Sequence, residues 1–364
     1  MKLQDLLDAF ELVAPGSLQE QYDNSGLQIG SPMQEVTKGL ICLDVTPEVV
    51  REAVENGCDL ILTHHPLLFK GLKKITGQNA VGQVVIDAIK NNIAIVSVHT
   101  NLDNIQHGVN EKLGTVIGLK NLRILQPKKG LLQKLVTFCP GSHANQVRSA
   151  IFEAGAGKIG DYDSCSFNLE GTGTFRGGET ANPFVGKPKE LHYEPEVRIE
   201  TIVPSYLLDV VLKAMFKSHP YEEVAYDIYP LENHFAQVGS GMIGQLEVPL
   251  SAIDFLDNIK SSLKIPYLRH TRLLGNTIKD VAFCGGSGSF LLENAIASGA
   301  QVFITGDLKF HQFFEAEGKI LLIDAGHYET EQFTKDLLYE LVNKKFSKFA
   351  LLISGVNTNP VKYF

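Results

Sequence analysis

The 364-residue chain has five cysteines, Cys42, Cys58, Cys139, Cys165 and Cys284, and none of them forms a CxxC pair. Scattered and odd in number, they argue against a zinc ribbon or a disulfide frame and for reduced core thiols in a cytoplasmic protein. A dense Lys/Arg block is also missing and the formal net charge is -8. Nucleic acid and anionic membrane surfaces are therefore not expected partners. No apolar stretch reaches membrane-spanning length. Residues 1–13 place Leu3, Leu6, Leu7, Phe10 and Val13 at helical spacing with Asp5, Asp8 and Glu11 between them. This is an amphipathic helix, not a secretory leader. Ser-His-Asp and Cys-His nucleophile patterns are not evident. What remains is an ordinary globular composition, 44% hydrophobic and 20% charged, in a chain long enough for two or three domains. An anionic substrate stays open, because a local metal site outweighs a modest global charge.

The chain is organised around LILTHHPLLF, residues 60–69. Leu60-Ile61-Leu62 reads as a buried strand of a parallel sheet, and Pro66, with no N–H to give a ladder, stops it. His64 and His65 then sit at the carboxyl end of a central strand, where open α/β sheets place ligands. Neighbouring residues of a regular strand face opposite ways, so two metals suit the pair better than one. The alternative is one histidine closing the strand and one satisfied polar group.

Strand, helix and strand alternate around this point. Gly39–Asp44 is a strand, and Thr46 with Pro47 and Glu48 opens a helix that stops at Gly57. A helix over about 80–91 leads to the strand 93–98, which ends in His99-Thr100-Asn101-Leu102-Asp103. The same order returns with Asp280–Cys284, the Gly-rich turn GGSGS (285–289), a helix to Ser298, and Val302–Thr305 ending in Gly306-Asp307. Ile320–Ile323 then ends in Asp324-Ala325-Gly326-His327. The expected fold is therefore α/β, with two duplicated halves, residues 1–126 and 236–364, forming one core. Between them, 127–235 reads as strand-helix-strand twice, a ferredoxin-like α+β insert. Its strands are expected on either side of the Gly-rich 170–180, with a loop over 183–195.

GHYETEQF is the strongest local chemical signal. A helix over about 329–345 puts His327 and Glu331 one turn apart, able to chelate one ion or bridge two. A helix-entry histidine followed by an acidic first turn, Glu329 and Glu331, is the plainer reading. With His64, His65 and Asp103 the set becomes three imidazoles and two carboxylates. Such donors suit zinc, manganese or iron better than magnesium. His99 is a candidate proton donor or a supporting group, and Asp307 and His311 are candidates for acid/base or substrate contact. GGSGS lacks the GK[ST] ending of a phosphate loop, so a tight turn is expected. His219 with Glu222 and Glu223 reads as a solvated loop rather than a second ligand site.

THHP, HTNLD and GHYETE, in this order around a middle domain, resemble the dinuclear-metal GTP cyclohydrolase 1 type 2 homologs, also called NGG-one-interacting-factor-three-like proteins. The resemblance spans the chain, and SHPYEEVAYDIYPL (218–231) is similar to PII signalling and CutA proteins. It implies that His64 and His327 bind one metal, His65 and Asp103 the other, and that Glu331, not Glu329, bridges them. It further implies a homohexamer and two divalent ions per subunit, zinc first, with manganese or iron as alternatives. The expected activity is a metal-dependent hydrolase of a nucleotide or related small molecule through a metal-bridging hydroxide. A family name taken literally means attack on C8 of GTP and formate release. The rival is a metal-binding regulatory or scaffold protein whose insert senses a small effector.

Overall fold

The computed structural model describes residues 1–275 and 277–362. The chain divides into two compact units, Met1–Gln126 with Gln237–Phe364, and Pro127–Ala236.

In the first unit, one sheet runs in the order Gly26–Ile29, Ala94–Ser97, Leu60–Thr63, Lys38–Cys42 and Ala350–Ile353. All neighbours are parallel except Gly26–Ile29, which lies antiparallel on Ala94–Ser97. Leu40, Leu60, Ile61, Leu62, Ala94 and Ile95 are fully buried, because both faces of this sheet are covered. That is why its strands read as unbroken apolar runs. Helix Pro47–Glu55 starts where the Thr46 hydroxyl accepts from the Val49 N–H, and helix Ala80–Lys90 where Asn79 accepts from Gly82. Val49, Val50, Ala53, Val84 and Ala88 from these helices pack into the sheet's core.

A second sheet runs Arg269–His270, Leu321–Asp324, Val302–Gly306, Ile278–Ser287, Phe235–Leu250 and Leu119–Lys128. Its three central strands are parallel, and Arg269–His270 is antiparallel on Leu321–Asp324. In both sheets a short antiparallel strand is followed in sequence by three parallel strands and lies beside the third of them. GGSGS is not a free turn. Strand Ile278–Ser287 continues through its first three residues. The C-terminal helix expected over 329–345 is two helices, His327–Glu331 and Thr334–Lys345.

The second unit is a four-stranded antiparallel sheet in the order Ser166–Arg176, Leu191–Pro204, Leu132–Pro140, Tyr226–Leu231. Helices Ala144–Glu153 and Leu208–Ser218 bury Val147, Ile151, Val211 and Met215 against Leu135, Ile199 and Val203. Here the strand boundaries differ from those expected. The Gly-rich 170–176 lies inside a strand, paired with Leu191–Val197, and the returning strand begins within the supposed loop. The reason is steric: a Cβ on Gly173 would stand 2.0 Å from Glu196 Oε2, so the glycine makes room for that carboxylate within the ladder.

Candidate metal centre

The polar residues after the parallel strands of both sheets meet at one place. Thr63 is the last residue of its strand, so His64 and His65 lie past the regular ladder and alternation no longer separates them. Their ring centroids are 4.9 Å apart. His99 follows strand Ala94–Ser97, and its ring stands 5.2 Å from that of His64 and 5.3 Å from that of His65. His327 opens the short helix after Leu321–Asp324 and lies 5.2 Å from His65, ring to ring.

Every one of these four rings is anchored through Nδ1. His64 uses the Val98 carbonyl at 2.8 Å, His65 the Asp44 carboxylate at 2.7 Å, His99 Asp23 at 2.7 Å, and His327 Asp307 at 2.6 Å. An Nδ1–H donated to an oxygen fixes the tautomer and leaves the Nε2 lone pair of the neutral ring as the donor atom. Three of those lone pairs, on His64, His65 and His327, converge on Glu331. Its Oε2 lies 3.0 Å from Nε2 of both His65 and His327, which are 3.3 Å from each other. On the other side, His64 Nε2 is 3.6 Å from Asp103 Oδ1 and 3.9 Å from Glu331 Oε1. Both His64 Nε2 and Asp103 Oδ1 are buried without a hydrogen-bond partner.

Buried orphans of this kind are costly unless something pairs with them. A tetrahedral ion with ~2.0–2.1 Å bonds spaces its ligand atoms by roughly 3.3–3.4 Å. The separations of 3.0, 3.3 and 3.6 Å across the cluster lie close to that edge. The residues present therefore fit a divalent cation. Among the described residues, two groups offer ligand atoms within 4.8 Å of one another, His64-His65-His99 and His65-His327-Glu331. The distances group the side chains differently from the division the resemblance implies: His65 goes with His327, and His64 with Asp103.

The electrostatics agree. Burial opposes charge on His65, but the Asp44 and Glu331 carboxylates outweigh it and hold the imidazolium up to about 10. Partial burial opposes charge on His327 too, and Glu331 and Asp307 outweigh it and raise it to about 9. Burial pulls His64 the other way, toward the neutral form a ligand needs. Glu331 is held low despite burial by its bonds from His327 and His65, while burial and the nearby Glu331 charge push Asp103 well up. A field that favours positive charge between these carboxylates favours a metal ion as much as a proton.

Glycine chemistry supports the geometry. Gly286 has φ +60°, and a Cβ there would stand 2.2 Å from Glu331 Oε1. The N–H groups of Gly285, Gly286 and Gly288 go to Asn110, Thr330 and Thr305, so the GGSGS backbone is not offered to a phosphate. Asp307 sits at φ +57°, a conformation aspartate tolerates, and aims its carboxylate at His327.

Of the sequence candidates, the structure brings together His64, His65, His99, Asp103, Asp307, His327 and Glu331. His311 is exposed, with its ring against Phe310 and Phe314, and no hydrogen bond or ion pair joins it to the cluster among the described residues. Glu329 binds Asn359 instead, at 2.8 Å. Asp44 and Asp23 were not anticipated. Asp44 carried a signal, a carboxylate at the end of a parallel strand. Asp23 carried none, because 76 residues separate it from His99.

Fold and site together define an α/β protein with a histidine–carboxylate cluster that fits metal, built at the strand ends of two sheets. The profile of Duf34/NIF3 (NGG1p interacting factor 3) matches residues 1–360, and the chain belongs to that family. A Halalkalibacterium halodurans protein named GTP cyclohydrolase 1 type 2 homolog is 39% identical over 99% of this chain and 98% of its own. A Bacillus subtilis protein of the same name is 37% identical over the same shares. The crystal structure of a Bacillus cereus protein related to NIF3 superimposes with a TM-score of 0.87 at 38% identity, covering 100% of this chain and 99% of that one. No helix among the described residues is long and apolar enough to cross a membrane.

Proposed function

We propose that the protein is a metal-dependent hydrolase of a small molecule, holding two divalent ions, zinc first. His64 and Asp103 would hold one ion, His65 and His327 the other, with Glu331 between them. The observation that carries this reading is the facing pair of buried, unpartnered atoms, His64 Nε2 and Asp103 Oδ1, in a cluster whose rings are all tied down through Nδ1. When bound, the ions would supply Lewis acidity and bring the pKa of a coordinated water toward neutrality. The remaining work falls to side chains. Asp44 and Asp307 fix the His65 and His327 rings, and Asp23 fixes His99. His99 makes no hydrogen bond to Glu331, and its Nδ1 is engaged, so its other nitrogen is the base that takes and returns a proton beside the ions. A nucleotide substrate is the proposal that the relatives' name supports.

The matching order of one short and three parallel strands in the two sheets supports a duplication of the halves. The order of the second unit, with its strand-helix-strand repeat, supports a ferredoxin-like insert. The test of function pairs metal analysis of protein purified without added metal with an assay for formate release from GTP. The expected result is a metal-dependent rate, with metal and rate both lost in Glu331→Gln. Equal metal content and equal rate in that variant would overturn the proposal.

A further inference from the structure

We propose that a cavity beside His99 is the subsite for an uncharged aromatic ring carried by the small molecule processed at the metal centre. This rests on the hydrolase reading above and deepens it. The cavity has a volume of about 710 Å³ and is walled by Ile29, Leu68, Phe69, Leu72, Ile75 and Ile89, among others. That size suits a small-molecule ligand. Polar residues also border it, but their polar atoms are engaged in building the walls. Asp23 accepts from His99 and Thr100, the Asn24 amide donates to the Leu68 carbonyl at 2.7 Å, and the Gln28 oxygen accepts from the Leu68 N–H at 3.1 Å. What faces an occupant is hydrocarbon and ring. Among the described residues, no Lys or Arg lines the cavity, so an anionic group meets no counter-charge in its wall.

Continuity with the centre identifies the occupant. Asp23 both lines the cavity and orients His99. The Phe69 ring lies 6.4 Å from the His99 ring at 75° and 6.2 Å from Tyr22. Phe69, Leu72, Ile75 and Ile89 are 45%, 38%, 52% and 62% exposed, an apolar surface that a protein keeps open for a ligand or a partner. A molecule with its polar reacting group at the ions and its apolar ring against Phe69 would satisfy both regions at once.

The chain contains no tryptophan, so the fluorescence of added indole reports its own surroundings. Titrating indole against the full-length protein should give saturable one-to-one binding with blue-shifted emission. Leu72→Asp and Ile75→Asp, each placing a charge in the apolar wall, should weaken it by about tenfold or more. Ile253→Asp, at an exposed position outside the cavity, should not. Glu331→Gln should bind indole like the parent protein, so loss of the metal reading and loss of this one are separable. Absence of saturable binding, or equal affinity in the wall variants, would overturn the assignment. So would wall variants that change the sedimenting mass while leaving indole affinity intact, since the face would then be a contact between copies.

Discussion

His64 and His219 are both buried histidines, one in each unit, and they differ in one respect. His219 has both ring nitrogens satisfied: Nε2 lies 2.9 Å from the Phe138 carbonyl, and Nδ1 accepts from the Tyr221 N–H at 3.1 Å. His64 has Nδ1 on the Val98 carbonyl and Nε2 on nothing, facing Asp103 Oδ1, itself unpartnered. The same residue type is a fully paired strut in the first case and carries a buried, unpartnered nitrogen in the second. Carboxylates alone do not separate the two regions, because the second unit also pairs His192 with Glu194 at 2.8 Å and Tyr221 with Glu196 at 2.7 Å. The convergence of unpartnered atoms separates them.

The largest effect should come from breaking the ligand side of that comparison. If His64 and Asp103 share one ion, the double variant His64→Asn/Asp103→Asn should lower metal content from about two ions per chain to about one. If they belong to different ions, both sites lose a ligand and content should fall toward zero. Metal analysis after equilibrium dialysis decides between them. His219→Ala should do the reverse. It leaves the Phe138 carbonyl and the Tyr221 N–H without their partner, at a cost of about 1–3 kcal/mol in the unfolding of the second unit, with metal content unchanged.

A pair of glycines sharpens the contrast further. At Gly286→Ala the new methyl meets Glu331 Oε1, so metal affinity should drop along with stability. At Gly299→Ala, φ is +79° and nothing lies within 4 Å, so only backbone strain of roughly 1 kcal/mol is expected. Asp307→Asn tests the anchoring of a ring rather than a ligand. It should weaken metal binding by about 10–100-fold, read by chelator competition. Metal affinity equal to that of the parent protein would mean the His327 ring needs no anchor.

How legible this was depended on distance along the chain. The parallel strands and their polar ends were visible because fully buried strands read as apolar runs and stop at Pro66, Gly306 or Gly326. The candidate ligands were visible for the same reason, with the family resemblance choosing Glu331 over Glu329. Strand Ala350–Ile353 was not visible, since it joins Lys38–Cys42 across some 300 residues and local pattern cannot show such a pairing. The glycines in 170–176 misled because glycine punctuates turns more often than it yields to a carboxylate in a ladder. Asp23 lay in a turn-rich loop whose partner, His99, only the fold brings near.

The smallest expected effect is a pH dependence confined to the strut. Burial depresses the His219 pKa below its ordinary value of 6.5, and the bond to the Phe138 carbonyl offsets this only in part. Below pH 6.5 the unfolded chain therefore binds a proton that the folded second unit resists. Its stability should be level above that pH and decline as pH falls through it, because protonation then favours the unfolded state. Urea melts of the parent protein and His219→Gln between pH 5 and 8, read by a probe in the second unit, check this. The parent should lose stability toward pH 5 by more than the variant, whose amide does not titrate. Parallel slopes would assign the acid sensitivity to other groups and remove the proton-resisting role from His219.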